Sequence, residues 1–165
     1  EPVQTAYDEP KDPWDHEGYR ITPLARFRLT ARLLGAERHR LDGGADLSPV
    51  DFALGWGRMS DTAVIDALSI SQGGRFYRYQ WMGSPPIPAG EIVNSSANMH
   101  LIPATPEVRK VLLSARTGQI VTLAGHLVKA EGENGWRWQS SLTRSDSGGG
   151  ACELVWVEGV RLERL

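Results

Sequence analysis

GQIVTLAGHLVKAEGENGWRWQSSL, running from Gly118 to Leu142, decides the fold. A β-branched and aliphatic run is followed by the turn-forming cluster Glu131, Gly132, Glu133, Asn134 and Gly135, and then by an aromatic run. This pattern predicts two antiparallel strands and a tight connection. Asn134-Gly135 supplies the positive φ values that hairpin turns require, and the flanking acids keep the turn in water. On the second strand, alternation sets Trp136, Trp138, Ser140 and Leu142 on one face and Arg137, Gln139, Ser141 and Thr143 on the other.

The same period of two appears elsewhere. In Ala25–Leu33 it separates Phe27, Leu29, Ala31 and Leu33 from Arg26, Arg28, Thr30 and Arg32. The outer arginine row reads either as a solvated sheet face that resists edge pairing or as a groove for an anionic or extended partner. Arg75–Met82 alternates Arg75, Tyr77, Tyr79 and Trp81 with Phe76, Arg78, Gln80 and Met82. Ser96–Ile102 places Ala97, Met99 and Leu101 opposite Asn98 and His100. The apolar run Cys152–Val157 predicts a strand with a neighbour on each side.

Helices are expected at three places. Ser48-Pro49-Val50-Asp51 reads as a capping box opening a short helix through Leu54, which Gly55 stops. Ser60-Asp61 precedes Thr62–Leu68, with Val64, Ile65 and Leu68 at helical spacing. Thr105-Pro106-Glu107 opens a helix to Arg116, striped by Val108, Val111, Leu112 and Ala115 and ended by Gly118. Between the first two sits Trp56 between glycines, either wedged into the core or presented as a recognition surface. Gly83–Gly90, with three prolines, and Arg144–Gly150, rich in glycine, are expected as connections.

These elements predict an α+β, mainly β chain. Residues 21–165 form a single domain, either a partly open, OB-like antiparallel barrel or a twisted antiparallel sheet with short inserted helices. A chain of 165 residues buries enough apolar surface for one core. Residues 1–20 are rich in proline and acid and read as an extended arm or tether, which Trp14 and Tyr19 would pin to the body.

The net charge of -2 argues against bulk nucleic-acid binding. Lys11, Lys110 and Lys129 are the only lysines among 18 basic residues, a bias that GC-rich coding or a need for bidentate contacts would both produce. With Cys152 alone, no internal disulfide exists. No apolar run reaches transmembrane length, and the first residue is Glu1 rather than methionine. That start fits a trimmed chain or a mature exported one, so membrane contact is expected only through a removed signal or anchor. A cytoplasmic location is the alternative.

DLSPVDFALGWGRMSD (Asp46–Asp61), SANMHLIPA (Ser96–Ala104) and GWRWQSSLTRSDSGGGACELVWVE (Gly135–Glu158), with ITPLARF at Ile21–Phe27, resemble the recurring blocks of a bacterial family of exported or membrane-anchored domains without a settled activity. The resemblance implies a bacterial source and exposure in the periplasm, and it carries over no catalytic residues.

His16, His39, His100 and His126 show no H-x-x-x-H spacing and no cysteine pair accompanies them, so neither metal nor cofactor is expected. Asn98 and His100 share a face, and His126 lies on a strand that would neighbour theirs. Convergence of these groups, with or without Cys152 as nucleophile, would support a hydrolase. Asp42, Asp46, Asp51 and Asp61 would offer paired carboxylates for glycan hydrolysis, but capping and loop solvation explain Asp51 and Asp61 more simply. Nucleophile-elbow and phosphate-loop fingerprints are absent from the sequence. The leading expectation is a non-enzymatic binding or accessory domain of the bacterial envelope. Its groove for an unidentified protein or extended polymer would be lined by Trp56, Arg75, Tyr77, Tyr79, Trp81, Arg137 and Trp138. A purely structural role in an envelope assembly is the third reading.

Overall fold

The computed structural model describes residues 1–143 and 152–164. The strands are β1 (Val3–Thr5), β2 (Trp14–His16), β3 (Tyr19–Arg38), β4 (Val50–Gly55), β5 (Ser69–Gly73), β6 (Phe76–Gln80), β7 (Ser96–Pro103), β8 (Ile120–Glu131), β9 (Arg137–Gln139) and β10 (Glu153–Glu163). The α-helices are α1 (Thr62–Asp66), α2 (Ala89–Asn94) and α3 (Pro106–Ser114). The anticipated connection Arg144–Gly150 lies outside the described residues.

Five strands close into a ring in the order β3, β4, β7, β10, β8 and back to β3. Every neighbouring pair is antiparallel except β7 and β10, which run parallel. A meander of three strands, then a helix, then an antiparallel pair whose last strand returns beside the third, is the connectivity of the OB-like barrel that the sequence leads one to expect. The ring closes because β3 is long enough to serve both ends of the sheet. Its residues 20–32 pair with β8 and residues 32–38 pair with β4.

The buried residues of β3 keep to odd numbers from Ile21 to Leu33, yet they do not all face the same core. A bulge between Pro23 and Ala25 shifts the register against β8, so Ile21 packs in an outer cluster while Phe27, Leu29, Ala31 and Leu33 line the lumen. A second shift lies between Leu33 and Gly35, and here Leu34 and Ala53 face outward into a third cluster. The lumen is filled by Phe27, Leu29, Phe52, Leu54, Met99, Leu101, Val121, Leu123, Val155 and Val157, and α3 closes one end with Val108 and Leu112. A fully buried side chain of this size contributes about 1.5–3 kcal/mol relative to exposure. Gly125, paired with both Phe27 and Val157, is required here because a Cβ would strike the Trp156 carbonyl.

Most of the anticipated elements are present. The β8–β9 hairpin turns through Asn134 and Gly135, both at positive φ. Residues 106–114 form α3, Thr105 accepts the Val108 N–H at 3.2 Å, and β10 lies between β7 and β8. The expected helix from Ser48 to Leu54 is instead β4. Every residue from Val50 to Gly55 is buried, because the lumen takes Val50, Phe52 and Leu54 while the outer face of β4 is also covered. A strand buried on both faces carries no alternation to mark it. The arm lies along the body: β1 and β2 pair with β3 along the edge that the ring leaves open, and Trp14 packs 5.1 Å from Trp156. The proline-rich connection hides Ile87, which enters the third cluster beside α2, a helix the sequence did not signal.

Candidate functional site

Asp51 is the centre of a polar cluster on the outer surface of the barrel, although its side chain is only 1% exposed. Pairing across the sheet aligns Glu37 of β3, Asp51 of β4 and His100 of β7 in one row. Asn98 lies two residues before His100 on the same face. Above the row folds the β5–β6 hairpin, with Gln72 seated over Gly35, where a Cβ would come within 2.6 Å of the Gln72 side-chain oxygen. From the Gln72 amide a hydrogen bond of 2.9 Å reaches Asn98 Oδ1.

At the tip of that hairpin Gly74 and Arg75 both adopt positive φ, as a two-residue turn of primed type requires. For arginine this backbone carries strain of order 1 kcal/mol, and the side chain makes it worthwhile. All five guanidinium hydrogens are directed to acceptors. Nε and Nη2 grip Asp42 at 2.8 and 3.0 Å, Nη1 donates to Asp51 Oδ1 at 2.8 Å and Ser48 Oγ at 3.2 Å, and Nη2 also reaches the Ser48 carbonyl at 2.8 Å. Trp138 lies beneath, its ring centre 5.1 Å from Arg75 Cζ and 4.8 Å from the His100 ring. Gly44 makes room for that indole, since a Cβ would stand 2.7 Å from it.

The Asp51 carboxylate is thus surrounded by donors. His100 Nδ1 faces Oδ1 at 2.9 Å, Asn98 Nδ2 donates to Oδ2 at 3.2 Å, and His39 Nε2 stands 3.1 Å from Oδ2. Burial alone would push its pKa up, but His100, Arg75 and His39 outweigh burial and hold it below the usual carboxylate range. The Asp42 pKa is likewise lowered, chiefly by the hydrogen bonds from Arg75. Because the His100 contact to carboxylate uses Nδ1, the proton of the neutral ring sits on that nitrogen.

His126 does not join this group. It sits on β8 opposite Trp156, whereas His100 sits beside Leu154, so β10 and a two-residue offset part their backbones by about 12 Å. Tyr7 hydrogen-bonds His126 Nδ1, and Glu158 Oε1 lies 3.3 Å from its Nε2. Cys152 precedes β10, and its thiol is pushed up to about 11 by burial, with Glu153 and Asp51 adding to the effect. That is the reverse of an activated nucleophile.

The proposed aromatic binding face points inward. Tyr77, Tyr79 and Trp81 form a row with ring spacings of 5.3 and 6.4 Å, half-buried against Leu34, Met59, Leu68 and Ile92. Trp56 is in the lumen cluster, and Arg137 projects to solvent on the side of β9 away from Trp138.

An open cleft of about 400 Å³ lies next to the Asp51 cluster, between the loop after β3, the β2–β3 turn and the β8–β9 turn. Tyr19 and Trp136 form its aromatic wall, with ring centres 5.2 Å apart, and Glu17, Asp46 and Glu133 bring exposed carboxylates. Tyr19 donates to Asp46 at 2.7 Å, and burial together with this bond pushes the phenol up to about 12. Trp136 meets Trp138 edge to face at 6.1 Å, so one aromatic pair joins the cleft to the cluster. Comparison with protein-family models, curated proteins and solved structures gave no match.

Proposed function

We propose that this chain is a non-catalytic binding domain that takes a positively charged, extended segment of a partner into the cleft walled by Tyr19 and Trp136. The observation that carries this reading is the pairing of two aromatic rings with three exposed carboxylates and, among the described residues, no basic residue in the cleft lining. Aromatic faces and carboxylates together suit ammonium or guanidinium groups, each ring contact being worth about 0.5–1 kcal/mol at an exposed site. The loops between the first two and the last two strands of the ring, which flank this cleft, are also where OB-like barrels bind extended polymers.

The groove moves from where the sequence suggested it. Arg75 has all its donors engaged, and Tyr77, Tyr79 and Trp81 support the hairpin, so these residues serve the cover of the barrel rather than a ligand. A hydrolase built on His100 and His126 lacks the convergence it needs. An envelope setting for the partner is part of this proposal and rests on the resemblance noted for Asp46–Asp61, Ser96–Ala104 and Gly135–Glu158.

The test is titration with a lysine decapeptide, followed by calorimetry at low and high salt. Saturable binding that weakens with salt and falls at least about tenfold in a Glu133→Gln, Asp46→Asn double variant is the expected result. Failure of that peptide to bind, with tight binding of a single-stranded oligonucleotide instead, would overturn the reading and favour the Arg26 and Arg28 row.

A further inference from the structure

His39 Nε2 is buried and makes no hydrogen bond among the described residues, although two carboxylate oxygens lie beside it. The side chain is only 9% exposed, and Nε2 is 3.1 Å from Asp51 Oδ2 and 3.4 Å from Glu37 Oε1. These spacings are within hydrogen-bond reach yet wrongly aligned for an N–H bond, and they approach another geometry. Ligands bound tetrahedrally at zinc distances of about 2.0–2.2 Å stand roughly 3.3–3.6 Å from one another.

We propose that Glu37, His39 and Asp51 form a binding site for a divalent transition-metal ion, zinc being the best fit, with water in the remaining position. One ligand atom from each residue already lies within 4.8 Å of the others. The backbone holds them in that arrangement. Glu37 pairs with Asp51 and Arg38 with Val50 at the end of β3, and the His39 N–H continues the ladder to the Pro49 carbonyl at 2.9 Å, so residues 37 and 39 share one face.

The surroundings have the character of an outer ligand shell. Asp42 Oδ2 faces the other ring nitrogen of His39 at 3.4 Å, which would fix the ring so that Nε2 presents its lone pair. Asp51 is oriented through its second oxygen by Arg75 and His100, and Asn98 donates to Oδ2 from a further direction. Charge points the same way. With neutral imidazoles, Glu37, Asp42 and Asp51 face the single guanidinium of Arg75, an excess of two negative charges that one divalent ion cancels. The Glu37 side chain is 26% exposed, leaving an approach from solvent. An imidazole in the ligand set favours zinc and cobalt over calcium and magnesium. A bound ion would also fix the loop from His39 to Asp46, which forms one wall of the cleft.

The full-length chain, stripped with chelator and titrated with ZnCl2 and separately CoCl2, tests the proposal. One equivalent should bind, with Co2+ giving the intense visible absorption of a four-coordinate site. Glu37→Gln should lower affinity at least about tenfold without changing the circular dichroism, and His39→Asn should abolish the cobalt spectrum. His126→Asn should change neither. Because Glu37 is partly exposed, its variant keeps the test decisive if His39→Asn fails to fold. Absence of saturable uptake, or uptake that survives Glu37→Gln and is lost in His126→Asn, would overturn the site. Neither readout depends on the decapeptide.

Discussion

His100 and His126 occupy the same outer surface of one barrel, on strands that both border β10, and each faces a carboxylate, yet their surroundings differ in kind. The His100–Asp51 pair is 2.9 Å apart with side chains 5% and 1% exposed, whereas the His126–Glu158 pair is 3.3 Å apart and the acid is 55% exposed. Around His100 the cover is an inserted hairpin, anchored by a guanidinium that satisfies every donor it has. Around His126 it is the arm, resting Tyr7 and Trp14 on the sheet. Water decides the difference. A charge removed from solvent must be surrounded by donors or it costs several kcal/mol, while an exposed pair gains little from its partner.

The largest effect should come from breaking the first pair. In chelator, Asp51→Ala leaves Arg75, His100 and Asn98 without their common acceptor and should cost about 3–5 kcal/mol in urea unfolding. Cys152 measures how closed this region is. With its pKa near 11, alkylation at pH 8 should run roughly a hundredfold slower than for an unperturbed thiol and should rise steeply toward pH 11. The sign follows because burial and nearby negative charge disfavour the thiolate. Arg75→Lys keeps the charge but not the five-donor fork, so a loss of about 1–3 kcal/mol is expected, with faster hydrogen exchange confined to β5 and β6. Glu158→Gln, at the open pair, should change stability by less than about 0.5 kcal/mol.

How far the sequence foretold this contrast depends on which residues are considered. Alternation placed Asn98 and His100 together on one side of β7, and the Asn134-Gly135 turn identified the hairpin that delivers Trp138. The carboxylate that unites them was hidden. Ser48-Pro49-Val50-Asp51 mimics a helix start, and β4 lacks alternation because both of its faces are covered, so Asp51 read as a cap. The proposed metal site was not legible either, because helical spacing is not the pattern that a strand-borne site would show. Glu37-x-His39 is ligand spacing on a strand, and its third member comes from register across the sheet, which local pattern does not specify. Arg75 and the tyrosines after it alternate as any surface strand does. Nothing in that alternation reveals that the hairpin folds back onto the barrel.

The claim that a sealed carboxylate cluster fastens the β5–β6 hairpin to the barrel is tested most directly by a double-mutant cycle between Asp51 and Arg75, read by urea unfolding of Asp51→Asn, Arg75→Met and the double variant in chelator. A coupling of about 2–4 kcal/mol is predicted. A coupling below about 0.5 kcal/mol, the value expected of an exposed ion pair, would contradict it.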